Sequence, residues 1–205
     1  GQTFVHGTMT GSWTLPAARG KGCFSVIIQE SEKLVASHQY SFLTAYVTES
    51  NASFRRLEAA GSYLVPTNYI ACTIPETDEA FEITEVVSPS AALFEKLYHL
   101  RNEQVKYSLH YSYTLEEFIA QFIDRAEGKS RIVTLGDDYC ILSETATTFR
   151  ILYSSSYQFT FLQQLRMWAK TQQKNLFFFT TKIIEKTITH PEYNIIPGYF
   201  TILSN

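Results

Sequence analysis

A stretch near the end of the chain, residues 157–180, constrains the possible fold most. The apolar residues of its first half recur at helical spacing, and they are Phe161, Leu162, Leu165, Trp168 and Ala169. The run Leu176–Phe179 follows almost at once and is typical of a strand covered on both faces. Because a β-like run, Thr148–Tyr153, precedes the stretch, we expect a strand, a short loop, a helix and a buried strand in that order.

Charge and composition exclude several classes of protein. The chain has 205 residues, of which 45% are hydrophobic and 18% charged, enough for one large domain or two half-size lobes. Its net charge is −3, and no block of five or more like charges appears, so we expect no nucleic-acid partner. No apolar run approaches the roughly 18 residues of a membrane span, and no signal peptide is visible, so we expect a cytoplasmic protein with no membrane partner.

Cysteine spacing argues against disulfides and metal. Cys23, Cys72 and Cys140 are far apart and odd in number, which favours buried free thiols in a reducing compartment. Neither a Cys-x-x-Cys pair nor paired histidines support a metal site, so no metal is expected.

The first half of the chain predicts a small α/β lobe. A β-like run at Cys23–Ile28 and a second at Leu43–Thr48 come first. A short helix follows, capped by Ser50 or Asn51 and ended by Gly61, and a strand then returns. The polar, proline-led segment 75–79 is the best boundary, so we divide the chain into an N-terminal lobe, residues 1–75, and a larger domain, residues 76–205.

The larger domain begins with a predicted strand, Phe81–Val87, and two helices. Ser88 and Pro89 are expected to open the first helix, whose buried face comprises Leu93, Phe94, Leu97 and Leu100. His99 and Arg101 fall on the polar side and are expected to face solvent. Thr114–Glu117 is a capping box that begins the second helix.

Strands complete the predicted sheet. Runs at Arg131–Leu135 and Tyr139–Leu142 are joined by a tight turn at Gly136, and Gly198–Leu203 closes the sheet. The fold class is therefore α/β (α+β), with a mixed central sheet flanked by helices and a smaller N-terminal α/β lobe.

This order of elements resembles the GNAT superfamily of acyl-CoA N-acyltransferases. The segment Thr44–Pro66 is similar to the N-terminal half of two-lobed sugar N-acetyltransferases of the dTDP-fucosamine type, with a strand, a helix ending in a Leu-x-x-x-Gly step and a Leu-Val strand. The resemblance implies acetyl-CoA as acyl donor and the amine of a small molecule or amino sugar as acceptor. A homodimer is compatible with it.

The resemblance also implies where the donor binds. Members of the superfamily hold the CoA pyrophosphate on backbone N–H groups of an Arg/Gln-x-x-Gly-x-Gly/Ala loop at a helix N-terminus. Here the stretch before the late helix contains neither glycine nor a basic residue. The candidate cofactor-binding residues in it are Ser155, Ser156, Gln158, Phe159 and Thr160. The alternative is that the serines form only a turn and a helix cap.

Catalytic candidates follow from the same resemblance. Amine acylation needs a base for the ammonium proton and an acid for the leaving thiolate. GNAT enzymes often use a central Glu and a late Tyr, which makes Glu144 the candidate base and Tyr193 the candidate acid. The family ends in an Asn, an Ala-x-x-x-Tyr helix and a Gly-Phe step, of which only Tyr193 and Gly198–Phe200 have counterparts here. Alternatively, Glu144 is an exposed carboxylate in a turn, and Tyr193 is a ring that only fills space.

An aromatic connection between the two predicted helices is the candidate acceptor site. His110, Tyr111 and Tyr113 could line a pocket with ring faces and polar tips. They could equally pack on the core. Two functions therefore stay open, an N-acyltransferase and a catalytically inactive GNAT-like module for ligand binding or assembly.

Overall fold

The computed structural model describes residues 4–10, 14–73, 75, 80–106, 110–126, 128–181 and 193–204. The chain divides into two compact units. The first unit comprises Gly1–Tyr69 and Ile196–Asn205, and the second comprises Ile70–Ile195. The division proposed after residue 75 stays a prediction, and residues 76–79 of its boundary segment lie outside the described part of the chain.

The first unit is a small sheet with two helices. Its elements are β1 (His6–Met9), a 3-10 turn (Pro16–Ala18), α1 (Cys23–Ser37), β2 (Phe42–Thr48), α2 (Ala52–Ala59), most of β3 (Tyr63–Cys72) and the end of β11 (Tyr193–Ser204). The strand order is β1-β2-β11-β3, which makes β1 the outermost strand. β1 runs parallel to β2, and β11 runs antiparallel to β2.

The prediction of a strand at Cys23–Ile28 is wrong, because this segment is the first part of the 15-residue helix α1. Ile28 and Val35 lie seven residues apart on one helical face, and each is 3% exposed. Val26 and Leu34 are 55% and 60% exposed. The β-branched residues of the run favour a strand locally, but packing of the Ile28 and Val35 face decides for a helix.

Several other predictions for the first unit are confirmed. β2 covers the predicted run, and α2 begins after Asn51, whose side chain accepts a hydrogen bond from Ser53 N at 3.1 Å. Gly61 follows α2 with a φ of 89°, a left-handed conformation typical of the residue after a helix. The core of this unit consists of Ile28, Val35, Leu43, Ala45, Val47, Leu57 and Leu203.

The second unit contains the larger set of strands. Its elements are the end of β3, β4 (Thr84–Glu85), α3 (Ala91–Val105), α4 (Leu115–Phe118) continued by a π-helical turn (Ile119–Ile123), β5 (Asp124–Arg125), β6 (Gly128–Lys129), β7 (Arg131–Leu135), β8 (Asp138–Glu144), β9 (Thr148–Ser154), α5 (Phe159–Thr171), β10 (Asn175–Thr181) and the start of β11. The order β3-β10-β9-β8-β7-β4, with β9 and β10 parallel and β7, β8 and β9 antiparallel, confirms the predicted mixed sheet.

The helices α3 and α4 of the second unit each begin at a side-chain cap whose partner lies three residues further along the chain. Thr114 forms the capping box, accepting from Glu117 N at 3.2 Å while its own N–H donates to the Glu117 carboxylate at 2.7 Å. The predicted start of α3 at Ser88 is wrong, because Ser90 is the cap and accepts from Leu93 N at 3.2 Å. The predicted strand before α3 is reduced to the two residues of β4.

Candidate functional site

The first unit contains a cleft of about 780 Å³. It lies where β1 and β2 end, and the starts of α1 and α2 complete its walls. The register of the parallel pair runs from His6↔Phe42 to Met9↔Ala45, and β2 then continues to Thr48 without β1. A cleft outside the carboxyl ends of parallel strands is the usual ligand site of open α/β sheets, and this volume suits a small-molecule ligand.

The loop before α1 exposes its backbone to this cleft. Gly20 and Gly22 both have a φ of 77°, and a Cβ built on either would meet nothing within 4 Å. Gly22 is the N-cap of α1, and no side chain among the described residues caps this helix. The first residues of α1, Cys23, Phe24 and Ser25, line the cleft. Uncapped N–H groups and the positive end of the helix dipole favour an anion here.

Charges of the cleft lining point to the same class of ligand. Arg19 and Arg56 line the cleft, and no aspartate or glutamate is among the described lining residues. Arg19 Nε donates to Thr14 O at 3.5 Å, which keeps its guanidinium beside the glycine loop. The cleft therefore combines backbone donors, space at two glycines and two cationic side chains, an arrangement suited to phosphate groups.

Sequence reasoning missed this loop, although a signal was present. Arg19 and Gly22 have the spacing of the Arg-x-x-Gly part of the CoA loop, and Phe24 stands where that pattern has Gly or Ala. The pattern needs a helix directly after the glycines, whereas the β-like run Cys23–Ile28 predicts a strand there. Asn51-Ala52 at the start of α2 likewise matches the start of the family's last motif, but α2 contains no tyrosine.

The predicted cofactor loop of the second unit is held by its own side chains. Ser155 N donates to Tyr139 O at 2.9 Å, and the Ser155 hydroxyl accepts from Tyr139 N at 2.8 Å and donates to Asp138 at 3.2 Å. The Ser156 hydroxyl accepts from Gln158 N at 3.3 Å. These contacts are those of a turn and a cap, so a cofactor role for this loop stays a prediction without structural support.

Two predicted site residues of the second unit do lie together. The rings of Phe159 and Tyr193 are 6.4 Å apart, and the Arg166 guanidinium lies 5.3 Å from the Tyr193 ring centre. Tyr193 is only 6% exposed and belongs to the hydrophobic core, whereas Thr160 is exposed at the start of α5. Burial among core residues is the environment of a space-filling ring, and the acid role of Tyr193 stays a prediction.

Glu144 lies apart from these residues. It is the last residue of β8 and pairs with Phe149, five positions before Ser154 on β9. At about 3.3 Å per residue, roughly 17 Å of strand separate it from the loop before α5. Its carboxylate contacts Lys174 Nζ at 2.9 Å and Arg131 Nη1 at 3.6 Å. These ion pairs indicate a structural contact between strand ends, and a catalytic role stays a prediction.

The predicted acceptor residues form the connection between α3 and α4. His110 is exposed, while Tyr111 and Tyr113 are half-buried with rings 6.4 Å apart. Arg101 holds this connection, because its Nη2 donates to Tyr111 O at 2.7 Å and its guanidinium lies 4.8 Å from the Tyr113 ring centre. Burial raises the pKa of Tyr113, and the nearby charge of Arg101 opposes that rise. The acceptor role stays a prediction.

The expectation that Arg101 faces solvent is wrong. Its side chain is 6% exposed, because Arg101 follows Leu97 by four residues and shares the buried face of α3. His99 is exposed as expected. Burial lowers the pKa of Arg101, since desolvation disfavours its charged form.

The described residues contain neither a cluster of metal ligands nor a helix suited to span a membrane. No group of three or more His, Cys, Asp or Glu there could hold a metal ion. Within the same part of the chain, every helix is too short or too polar to cross a membrane. None of the three cysteines, all of which the structure describes, forms a disulfide, and Cys23 is only partly buried.

Comparison with known proteins gives the fold. No protein-family model and no curated protein matches the sequence. A GCN5-related N-acetyltransferase from Sphaerobacter thermophilus aligns with 92% of this chain and 70% of its own, at TM-score 0.61 and 13% identity. A probable N-acyltransferase from Enterococcus faecalis V583 aligns with 97% of this chain at TM-score 0.55 and 16% identity, and this chain spans only 54% of its length.

A tandem GNAT protein from the clavulanic acid biosynthesis pathway is also similar, at TM-score 0.58 and 9% identity, over 97% of this chain and 74% of its own. At such identities the likeness establishes the fold alone. The chain therefore has the fold of GCN5-related N-acetyltransferases. The closer resemblance to sugar N-acetyltransferases stays a prediction.

Proposed function

We propose that this protein is an acyl-CoA-dependent N-acyltransferase whose acyl donor binds in the cleft of the first unit. The observation that carries the proposal is the glycine loop, whose two left-handed glycines leave the backbone open beside an uncapped helix start. The GNAT fold supports acyl transfer as the reaction, and the cleft supports the first unit as the place where the donor binds.

Each part of the cleft has a separate task. The N–H groups at the start of α1 and the charge of Arg19 would hold the pyrophosphate, because both favour anions and the glycines allow close approach. The ends of β1 and β2 would flank the pantetheine arm where their pairing stops. Acyl-CoA supplies the activated acyl group, and the acceptor would be a small amine or an amino sugar.

The alternative is a GNAT-like module that binds acyl-CoA without turning it over. Two observations favour it, since α2 has no tyrosine and no carboxylate is among the described residues that line the cleft. Both hypotheses predict donor binding. They differ in whether acetyl-CoA is consumed when a panel of amines and amino sugars is supplied.

Cys23 offers a direct test of donor binding. It lines the cleft and is partly exposed, whereas Cys72 and Cys140 are 2% and 0% exposed. An alkylating reagent should therefore modify Cys23 first in the folded protein. Acetyl-CoA at ten times its Kd should slow this reaction roughly tenfold, because only the free protein reacts.

The control ligand is acetylpantetheine, which lacks the phosphates and should protect Cys23 far less. Mass spectrometry of the alkylated peptide gives the rate. An alkylation rate at Cys23 that saturating acetyl-CoA leaves unchanged would contradict donor binding in this cleft.

A further inference from the structure

Arg56 has a charge that no described residue neutralises. It lies on α2, lines the cleft and makes no side-chain hydrogen bond or ion pair with any residue that the structure describes. The other charged or titratable lining residues are Arg19, Cys23 and Tyr46. An unpaired guanidinium in a cleft without carboxylates is suited to an anionic ligand group.

The two arginines reach the cleft from different elements. Arg19 comes from the glycine loop before α1, where backbone donors would hold the phosphates. Arg56 comes from α2, whose start follows the end of β2, beyond the last β1 pair at Met9↔Ala45. A donor with its phosphates on the glycine loop would place its thioester where these strands stop pairing. Arg56 then faces the other end of the donor.

We propose that Arg56 stabilises the CoA thiolate that leaves during acyl transfer. The proposal rests on the proposed function. In the reaction the amine nitrogen forms a bond to the acyl carbon, the carbon–sulfur bond breaks, and the electron pair goes to sulfur. The ammonium proton goes to water, and the thiolate, held by the positive charge of Arg56, later takes a proton from water. A cation here would thus perform the task of the acid, for which α2 has no tyrosine.

The ionisation of bound CoA tests this proposal without any knowledge of the acceptor. The thiolate absorbs ultraviolet light, so a pH titration of the CoA complex gives the ionisation constant of its thiol. Arg56→Ala should make that constant about three- to tenfold smaller than in the wild-type complex, as expected for an exposed charge a few ångströms away. Arg56→Lys should retain most of the effect.

Arg55→Ala is the matched control, because Arg55 carries the same charge on the same helix and is not among the lining residues. Arg55→Ala should leave the ionisation constant of the bound CoA thiol unchanged. Desulfo-CoA, which lacks the sulfur, should bind wild type and Arg56→Ala with nearly equal affinity.

The outcomes separate the two proposals. Failure of wild type to bind CoA or desulfo-CoA would contradict the proposed function itself. Normal CoA binding by Arg56→Ala, with the same ionisation constant of the CoA thiol as in wild type, would overturn only the role of Arg56. Equal loss of CoA and desulfo-CoA affinity would assign Arg56 to a phosphate and also overturn the thiolate proposal.

Discussion

Tyr153 shows how a single buried hydroxyl affects stability. It lies on β9 with 6% exposure, and its hydroxyl has no hydrogen-bond partner among the described residues. Burial raises the pKa of Tyr153 to about 12, with the charge of Arg101 acting in the opposite direction. The folded state therefore keeps this proton over a pH range in which the unfolded chain, with a pKa near 10.0, releases it.

We expect Tyr153→Phe to weaken the alkaline loss of stability. In wild type, stability present below pH 10 should fall as the pH rises to about 12, because ionisation favours the unfolded chain. The phenylalanine variant lacks this group, and its free energy of unfolding at pH 7 should be equal or up to about 1 kcal/mol higher. Urea unfolding at pH 7, 10 and 11.5 measures both effects.

Tyr63→Phe is the control, since Tyr63 is 70% exposed. It should follow the wild-type curve. Identical pH dependence in Tyr153→Phe and wild type would contradict the assigned cause.

Residue-level predictions succeeded where the information is local. The capping box at Thr114 and the cap at Asn51 lie within four residues of their partners, so residue type and spacing suffice. Arg101 failed because its partners come from a later segment, the Tyr111 carbonyl and the Tyr113 ring. Residue type alone favours an exposed arginine, and only tertiary contacts explain a buried one.

At the scale of elements, strands β2 and β11 approach closely at Gly198. Gly198 pairs with Thr48, and a Cβ at this position would lie 2.8 Å from Val47 O and 2.8 Å from Tyr69 Cε2. The first of these atoms is backbone and cannot turn aside. The aromatic ring therefore packs directly on the glycine, and the pairing of β2 with β11 depends on the missing side chain.

Gly198→Ala should destabilise the protein by about 2–3 kcal/mol, because overpacking against a fixed carbonyl forces the strands apart. Thermal or urea unfolding measures the loss. Gly61→Ala is the comparison, since Gly61 has a φ of 89° but open space around it, and should cost only about 1 kcal/mol. A Gly198→Ala variant as stable as wild type would show that the two strands can separate without penalty.

Strands and helices were predictable where the spacing of the apolar residues and the length of the segment indicate the same kind of element. β7, β8 and β9 are runs of five to seven residues rich in β-branched and aromatic side chains, and α5 keeps helical spacing over its 13 residues. α1 was not predictable from its short β-branched run, Cys23–Ile28, because its packing depends on Ile28 together with Val35, which lies seven residues beyond that run. The wrong strand prediction for Cys23–Ile28 also hid the candidate site, because a glycine loop indicates phosphate binding only when a helix follows it.

On the scale of the whole molecule, each unit contains a strand, a loop, a helix and a second strand in succession. The two strands are parallel in both cases, β1 and β2 in the first unit and β9 and β10 in the second. In the first unit the loop has two left-handed glycines and an open cleft. In the second unit the corresponding loop is tied to β8 through Ser155. We therefore expect the same succession of elements to serve donor binding in the first unit and sheet stability in the second.

Variants in the two units should separate these roles. Gly22→Ala should weaken acetyl-CoA binding about tenfold or more, because a side chain would occupy space open to the phosphates and strain a φ of 77°. Glu144→Gln and Ser155→Ala should leave acetyl-CoA affinity and any turnover nearly unchanged. Glu144→Gln should lower stability by about 0.5–1 kcal/mol, a small effect because its ion pairs are partly exposed.

Calorimetry with acetyl-CoA measures the affinities, and Gly61→Ala corrects for strain alone. A hundredfold slower turnover in Glu144→Gln with unchanged affinity would instead support the prediction of Glu144 as the base. Lost affinity in Ser155→Ala would support the prediction that the second loop is the donor site.

The outer position of β1 affects how the protein should be handled. One side of this strand pairs with β2, and the other side leaves backbone N–H and C=O groups without a neighbouring strand in the described sheet. Phe4 and Val5, just before it, are 50% and 59% exposed. Such an edge is a template for pairing with another chain, so self-association should rise with protein concentration, and dilute samples suit the binding experiments best.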